Sequence, residues 1–319
     1  MTKIQPAVQR LAFTLPLNGT NYIDLSRVAS AINRRFYRQG LNWAVGGFRF
    51  TGQGEMTGTT TVSKLPNSWS LSNGWEKVFR AWQRQQNEVL EDGTQDSVKA
   101  RYNDFKIYLD EDMLTATTQT DALAPVDGQI LLPHDNGYNL LMEGEWDYSN
   151  LVIPNFGAPG NNFDAKIMGI GAKVGGIGGA FSLVQLYADS RSTPFSPDPD
   201  VPGDVLSTDN ILNLMFDVGD NNSDVLTDVI GENNETPYAI DDYPGGKTNF
   251  PAAEVVGYAF LNNSASTATA QSGIPGSNFP CGLIRIDSEY TGGSAFYNMV
   301  IDLVPGTHRG YLCEPMMEM

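Results

Sequence analysis

Chemistry in a protein begins with side chains able to donate, accept or attack, and this chain is sparing with them. It has 2 histidines in 319 residues, His134 and His308. Neither lies in a Gly-x-Ser-x-Gly or His-Glu-x-x-His pattern, so no nucleophile or zinc motif is built around them. Carboxylates are plentiful by contrast: Asp110-Glu111-Asp112, Glu143 with Glu145, and Asp241-Asp242 all stand in pairs or runs. Among 37 Asp+Glu such pairs arise without purpose, and solvated loops account for them. A hydrolase survives as a reading only because two carboxylates from distant segments can act across a cleft. The expectation is therefore a protein that is not an enzyme.

Two runs imitate ligand loops. Gly169-Ile170-Gly171-Ala172-Lys173-Val174-Gly175-Gly176-Ile177-Gly178-Gly179 has the glycines of a phosphate loop but lacks the closing Gly-Lys-Ser/Thr and a following helix pattern. Close strand packing or a turn explains it. Asp220-Asn221-Asn222-Ser223-Asp224 begins like a calcium loop, yet Val225 takes the required glycine position and Gly231 the place of the bidentate glutamate. An Asx-rich turn accounts for it. The alternative is a looser Ca²⁺ site on Asp220, Asn222 and Asp224, completed by a neighbouring subunit; no other cofactor is expected.

Cations interleaved with aromatic rings make the one pattern that implies a partner. Arg34-Arg35-Phe36-Tyr37-Arg38 sets three guanidinium groups beside two rings, and Lys77, Arg80 and Arg84 share a segment with Trp75 and Trp82. Guanidinium forks match phosphate oxygens, and rings stack on unpaired bases. For any single residue a structural role suffices, with the rings in the core and the arginines solvating outer faces. The collective charge is another matter. Residues 1–106 hold 14 Lys+Arg against 8 Asp+Glu, whereas residues 107–319 hold 6 against 29, within a net charge of −17. Segregation of this kind lets one molecule show opposite potentials to different neighbours, which favours oriented association.

The elements that must carry these residues are mostly strands. Hydrophobic content of 41% excludes wholesale disorder, and 18% charge with 33 Gly and 18 Pro suits a β protein with long polar loops. Alternating or β-branched runs predict strands over residues 8–17, 42–51, 56–65, 103–110, 165–174, 180–188, 253–261, 281–287 and 295–304. In the first, Leu11, Phe13 and Leu15 share a face. In the second, Trp43 and Val45 and then Phe48 and Phe50 are expected to change face around Gly46-Gly47, as a bulge allows. In the fourth, Phe105, Ile107 and Leu109 point inward and Lys106, Tyr108 and Asp110 outward.

Two helices are predicted. Residues 24–39 place Leu25, Val28, Ala29, Ile32 and Phe36 on one stripe, with Gly40 at C′ and Arg34, Arg35 and Arg38 in the last turns. The second starts at Asn73 as N-cap with Glu76 at N3, and Trp75, Val78, Phe79, Trp82, Gln86 and Val89 follow at helical spacing with Lys77, Arg80 and Arg84 elsewhere on the cylinder. Residues 190–249, rich in Asp, Pro, Asn and Gly, form the largest expected surface loop region. Met1 to Pro6 lacks an apolar signal region, and no apolar stretch reaches the ~18 residues of a membrane span. Cys281 and Cys313 make no disulfide framework, so folding in a reducing compartment is expected.

The stretches Ile32-Asn33-Arg34-Arg35-Phe36-Tyr37-Arg38-Gln39-Gly40-Leu41-Asn42-Trp43-Ala44-Val45 and Lys64-Leu65-Pro66-Asn67-Ser68-Trp69 through Trp82 resemble capsid proteins of small circular Rep-encoding single-stranded DNA viruses. The resemblance covers mainly residues 8–110. It implies one all-β domain over residues 1–319: a single jelly-roll β-sandwich, two facing antiparallel sheets with long loops and two short helical inserts. It also implies self-assembly into an icosahedral shell around single-stranded DNA, in a virion assembled inside the host cell. Such capsids commonly open with an Arg/Lys-rich arm, whereas this chain has only Lys3 and Arg10 in its first 26 residues. Genome contacts would then fall to Arg34, Arg35, Arg38, Lys77, Arg80 and Arg84. A host receptor or glycan is a further expected partner. The rival from another class is a carbohydrate- or receptor-binding β-sandwich, lectin-like or fibre-tip.

Overall fold

Period-2 alternation governs the long strands, and each buries one row of side chains. In the computed structural model, residues 6–92, 104–117, 129–132, 139–140, 148–153, 163–171, 179–189, 253–264, 269–292 and 296–319 are described. Strand β1 (Arg10–Pro16) buries Leu11, Phe13 and Leu15 as its alternation predicts. It is followed by β2 (Gly19–Asp24), α1 (Leu25–Asn33), β3 (Leu41–Gln53) and β4 (Met56–Lys64). Between β4 and the next long strand lie α2 (Trp69–Asp92), α3 (Glu111–Thr117), β5 (Gln129–Leu132), β6 (Asn139–Leu140), β7 (Asn150–Ile153), β8 (Phe163–Met168), β9 (Ala180–Ser182) and α4 (Leu183–Asp189). Then come β10 (Glu254–Asn263), β11 (Thr269–Phe279), β12 (Leu283–Thr291) and β13 (Phe296–Leu303). The short strands β14 (Pro305–Gly306), β15 (Gly310–Tyr311) and β16 (Cys313–Pro315) close the chain.

Eight long strands pair as a nested ribbon: β1 with β13, β2 with β12, β3 with β11, and β4 with β10, all antiparallel. Rolling that ribbon gives one sheet in the order β1-β13-β3-β11 and a second in the order β10-β4-β12-β2, which β5 and β6 extend. This is a jelly-roll, the all-β architecture that the resemblance implied. The sheets enclose one core of Phe13, Ile23, Trp43, Phe50, Leu261, Ile286, Met299 and their neighbours. In β3 the register against β13 slips between Asp302 and Leu303, opposite Gly46. This bulge keeps Trp43, Val45, Phe48 and Phe50 all on the core side despite their change of phase, so the rings do not change face.

At one end of the sandwich the connections are short in sequence, spanning residues 17–18, 54–55, 264–268 and 292–295. The opposite end carries α1, the 3-10 turn at Pro280–Gly282, the closing strands and the whole excursion from β4 to β10. That excursion has its own core, in which Leu71, Trp75, Val78, Trp82, Phe105, Met113 and Val184 meet Tyr22 of β2 and Leu283 of β12. One ion network locks it to the sandwich. Arg285 on β12 places Nη1 2.6 Å from Asp110 and 3.0 Å from Asp112, and its Nε meets Asp287 at 3.0 Å. Asp110 also accepts from Tyr22 Oη at 2.6 Å and from the Met113 N–H at 3.0 Å. Burial, then the Asp110 charge, push the Tyr22 phenol well above its ordinary value.

Several sequence expectations are corrected. Residues 104–107 are not a strand, although Phe105, Ile107 and Leu109 are buried; Tyr108 and Asp110 are buried too, because the segment lies inside the second core rather than on a sheet surface. The stretch 180–188 is three residues of strand and then α4, whose Leu183, Val184 and Tyr187 face one core. Helix α1 stops at Asn33, with Arg34 left-handed at φ 54°, so Gly40 is not its C′ residue and the exposed Phe36 lies off the helix. Helix α2 is not short: it begins at Trp69, with the Ser68 hydroxyl accepting from the Leu71 N–H at 3.4 Å, and Asn73 is interior. Strands β2 and β11 were not predicted at all. The expected loop region 190–249 lies outside the described residues.

The lock at Arg285 carries a measurable share of stability, since removing one member leaves buried charge behind. Arg285→Leu is expected to lower the unfolding free energy by about 3 kcal/mol. Asp110→Asn keeps a partner for Tyr22 and is expected to cost about 1–2 kcal/mol. Urea denaturation of the two variants gives the ranking directly.

Candidate nucleic-acid interface

The connection from α1 to β3 holds the cationic cluster, and its shape follows from three buried polar residues. Asp24 caps α1, accepting from the Ser26 N–H at 2.9 Å, the Ser26 hydroxyl at 2.5 Å and the Arg27 N–H at 3.3 Å. Gln39, fully buried, donates to Asp24 Oδ2 at 3.2 Å and to the Ile107 carbonyl at 3.1 Å, and accepts from the Ile107 N–H at 2.6 Å. Tyr37 is buried at ring distances of 5.9 Å from Trp43 and 5.5 Å from Tyr311, and its hydroxyl donates to the Arg309 carbonyl at 3.1 Å. Alternate residues of this segment are thus pinned inward, which turns Phe36 and Arg38 outward.

Those two side chains border a cleft of about 560 Å³ lined by Phe36, Arg38, Trp75, Phe79, Phe105 and Arg309, with Gly40, Leu41, His308 and Met317 completing it. Trp75 and Phe79 stack at 4.8 Å and 14°, and Phe105 meets Trp75 edge-on at 5.9 Å. Gly40 passes directly over the Trp75 indole, where a Cβ would collide with the ring. The indole Nε1 is buried without a hydrogen-bond partner. Arg309 places Nη1 against the Phe36 carbonyl, so the C-terminal turn is tied to the backbone that carries the ring. Partial burial, then the Arg309 charge, lower the His308 value and leave the ring neutral at pH 7. Among the described residues no carboxylate borders this cleft, but Asp104, next to Phe105, lies close enough to Arg38 for the two charges to interact. Rings beside two guanidinium groups suit a flat ligand that carries negative charge.

The six expected nucleic-acid residues do not form one surface. Arg34 and Arg35 border a separate, smaller depression with Pro6, Val8, Ile32 and Asn33, which shares no lining residue with the cleft. Arg38 alone lies in the cleft. On α2, Arg80 is bonded to Glu76, Arg84 sits 2.9 Å from Glu88, and Lys77 lies 5.4 Å over the Tyr187 ring. Each of these three is exposed but already has a partner, so the α2 row presents alternating rather than positive charge. Trp75 and Trp82 are buried on the other side of the helix. Sequence reasoning missed Arg309. In the sequence it is a lone cation between Gly306 and Gly310, and only the fold brings it to Phe36.

The other chemical candidates have ordinary roles. Asp110 and Asp112 hold Arg285. Gly169 lets the chain lie against Leu65, where a Cβ would clash, which is the close packing expected of that run. Burial pushes the Cys281 thiol well up and that of Cys313 up to about 12, so neither is an activated nucleophile. Among the described residues no group of three His, Cys, Asp or Glu is placed to hold a metal ion. No described helix is long and apolar enough to cross a membrane. His134, Glu143, Glu145, Asp220, Asn222, Asp224, Asp241 and Asp242 lie outside the described residues.

Asp24 gives the connection a pH dependence. Burial raises its carboxyl above the ordinary value, and its hydrogen bonds oppose the shift only in part. A carboxyl raised on folding contributes stability in full below its unfolded value of about 3.9 and loses it as pH climbs through the folded value. The denaturation midpoint of wild type minus that of Asp24→Asn is therefore expected to be largest near about pH 4 and to narrow toward pH 7. A gap that does not change with pH would remove this carboxyl as the cause.

No family model, no curated protein and no solved structure matches the chain.

Proposed function

We propose that this protein is a structural capsid subunit that self-assembles into an icosahedral shell enclosing single-stranded DNA. The observation that carries the reading is an aromatic strip on the free edge of the second sheet. On β10, Tyr258 and Phe260 are 60% and 68% exposed, with Val255 exposed beside them, while Ala259 and Leu261 between them are buried. Strand β10 hydrogen-bonds to β4 and, among the described residues, has no strand on its other side. A solitary protein protects such an edge with charge or proline; here the outward row holds rings. Behind them on the same face stand Thr57, Thr59 and Thr61 of β4, then Asp287 and Glu289 of β12. Apolar rings edged by carboxylates suit contact with a copy of the chain turned to offer its cationic third.

The distribution of connections supports the same reading. Short connections at one end and the described inserted elements at the other give the sandwich two unlike ends, as a subunit with an inner and an outer side needs. Residues Arg34, Arg35, Arg38 and Arg309 gather at the inserted end, which is where contact with packaged nucleic acid and assembly inside a host cell would draw on them. The same exposed rings favour one second reading, stacking against sugars as in a lectin-like module. That molecule would work as a monomer or small ring, with glycan as its partner.

Assembly separates the two. Wild-type protein is expected to give uniform closed particles by negative-stain microscopy and light scattering. Tyr258→Ser with Phe260→Ser is expected to shift it to free subunits with an unchanged circular-dichroism spectrum. Wild type that stays solitary at high concentration across salt and pH, or that is retained on a glycan column as a monomer, overturns the shell reading.

A further inference from the structure

We infer that the cleft between the α1–β3 connection, α2 and the C-terminal turn is a docking site for a nucleotide unit of single-stranded nucleic acid, with its base on the Phe36 and Phe79 rings and its phosphates on Arg38 and Arg309. This deepens the shell reading by naming the residues that would meet the genome, and it rests on that reading only for which polymer is bound.

Geometry supports the site in three ways. The volume of about 560 Å³ lies within the range of small-ligand sites and is large enough for a base with its sugar. Its floor is prearranged: Gly40 covers the Trp75 indole, Trp75 stacks on Phe79, and Phe105 fixes them edge-on. Phe36 is about half exposed, and the backbone that carries it is held by Arg309 at its carbonyl and by the buried Tyr37 next to it, so the ring is offered at the cleft's border. Prearranged stacking surfaces save the ordering cost that a mobile ring would impose.

Charge selects the ligand. In a molecule of net −17, the described lining of this cleft presents two guanidinium groups, one of them near the Asp104 carboxylate, and no lining carboxylate. An acidic protein segment would satisfy the arginines but leave the stacked rings without planar partners. Phosphate alone would leave them bare as well. A nucleotide uses both features, and a neutral His308 on the rim adds a hydrogen-bonding edge without further charge. Because stacking is tolerant of base identity, the site is one of low sequence preference.

The test uses full-length protein kept unassembled by low concentration and a short fluorescent oligo(dT), read by polarisation and by quenching of tryptophan emission. Saturable binding with quenching is expected. Phe36→Ala should weaken it about tenfold. Arg38→Gln should weaken it and lower the slope of log affinity against log salt by about 0.7. Arg80→Gln and Arg84→Gln, already paired on α2, should leave it unchanged. Circular dichroism verifies that each variant folds, and Phe79→Leu provides a second ring test from another element. Competition by inorganic polyphosphate at equal charge with no effect of Phe36→Ala would make this an anion site and overturn the inference. So would tighter binding of an Asp/Glu-rich peptide than of the oligonucleotide, or an effect of Arg84→Gln equal to that of Arg38→Gln. Particles that form normally while the subunit ignores oligo(dT) sink this inference alone. A subunit that binds oligo(dT) but never assembles sinks the shell reading alone.

Discussion

Backbone hydrogen bonding between strands far apart in the chain is the constraint on which everything else depends. Each of the four nested pairs joins a strand from the first 64 residues to one beyond residue 253, and Arg10 faces Asp302 across the outermost pair. Neither sheet can form from local contacts. Once the ribbon is paired, alternation decides which side chains meet, and the core follows from rolling one apolar face inward. The bulge at Gly46 and the register slip between Val255 and Gly257 bend the ribbon without moving apolar residues out of that core.

The inserted end depends on the ribbon in turn. Tyr22 and Leu283 project from adjacent paired strands away from the sandwich, and the second core assembles on them. Arg285 stands next to Leu283 with its guanidinium between Asp110 and Asp287. The excursion is therefore seated by one apolar contact area and one ion network. Gln39 completes the arrangement by bonding to both sides of the Ile107 peptide, which sets Phe105 opposite Arg38. The cleft is a by-product of joining two cores: its walls come from four separate stretches that share no sequence pattern.

How much of this was legible follows from how each element buries itself. Strands such as β1 and β13, with one wet face and one dry face, show their alternation plainly. Strand β2 hides it, because Tyr22 enters one core and Ile23 the other. Strand β11 hides it for the opposite reason: only Ile274 and Phe279 are fully buried along eleven residues of Thr, Gln, Ser and Gly. The short run at Leu183 and Val184 suits strand or helix equally by composition, and packing on α2 decides for helix. Jelly-roll order was reached through resemblance rather than periodicity, since pairing partners leave no local trace. Within the cleft, Arg38 and its rings were visible as a cluster. Arg309 was not, because the fold and not the sequence brings it 273 residues back to Phe36.

Nested pairing also dictates timing. The first strand waits for the eighth, so a growing chain leaving the ribosome holds half a sandwich with no partner for its apolar face. Sequence-distant contacts slow folding, and unsatisfied strands in the interval are prone to wrong pairing. Completion of β12 and β13 is consequently the event that both closes the sheets and creates the floor on which the second core settles. Chains ending before Leu283 would lack β12, the strand that joins β2 to β4, so the second sheet stays split into β4 with β10 on one side and β2 with β5 on the other until β12 is made.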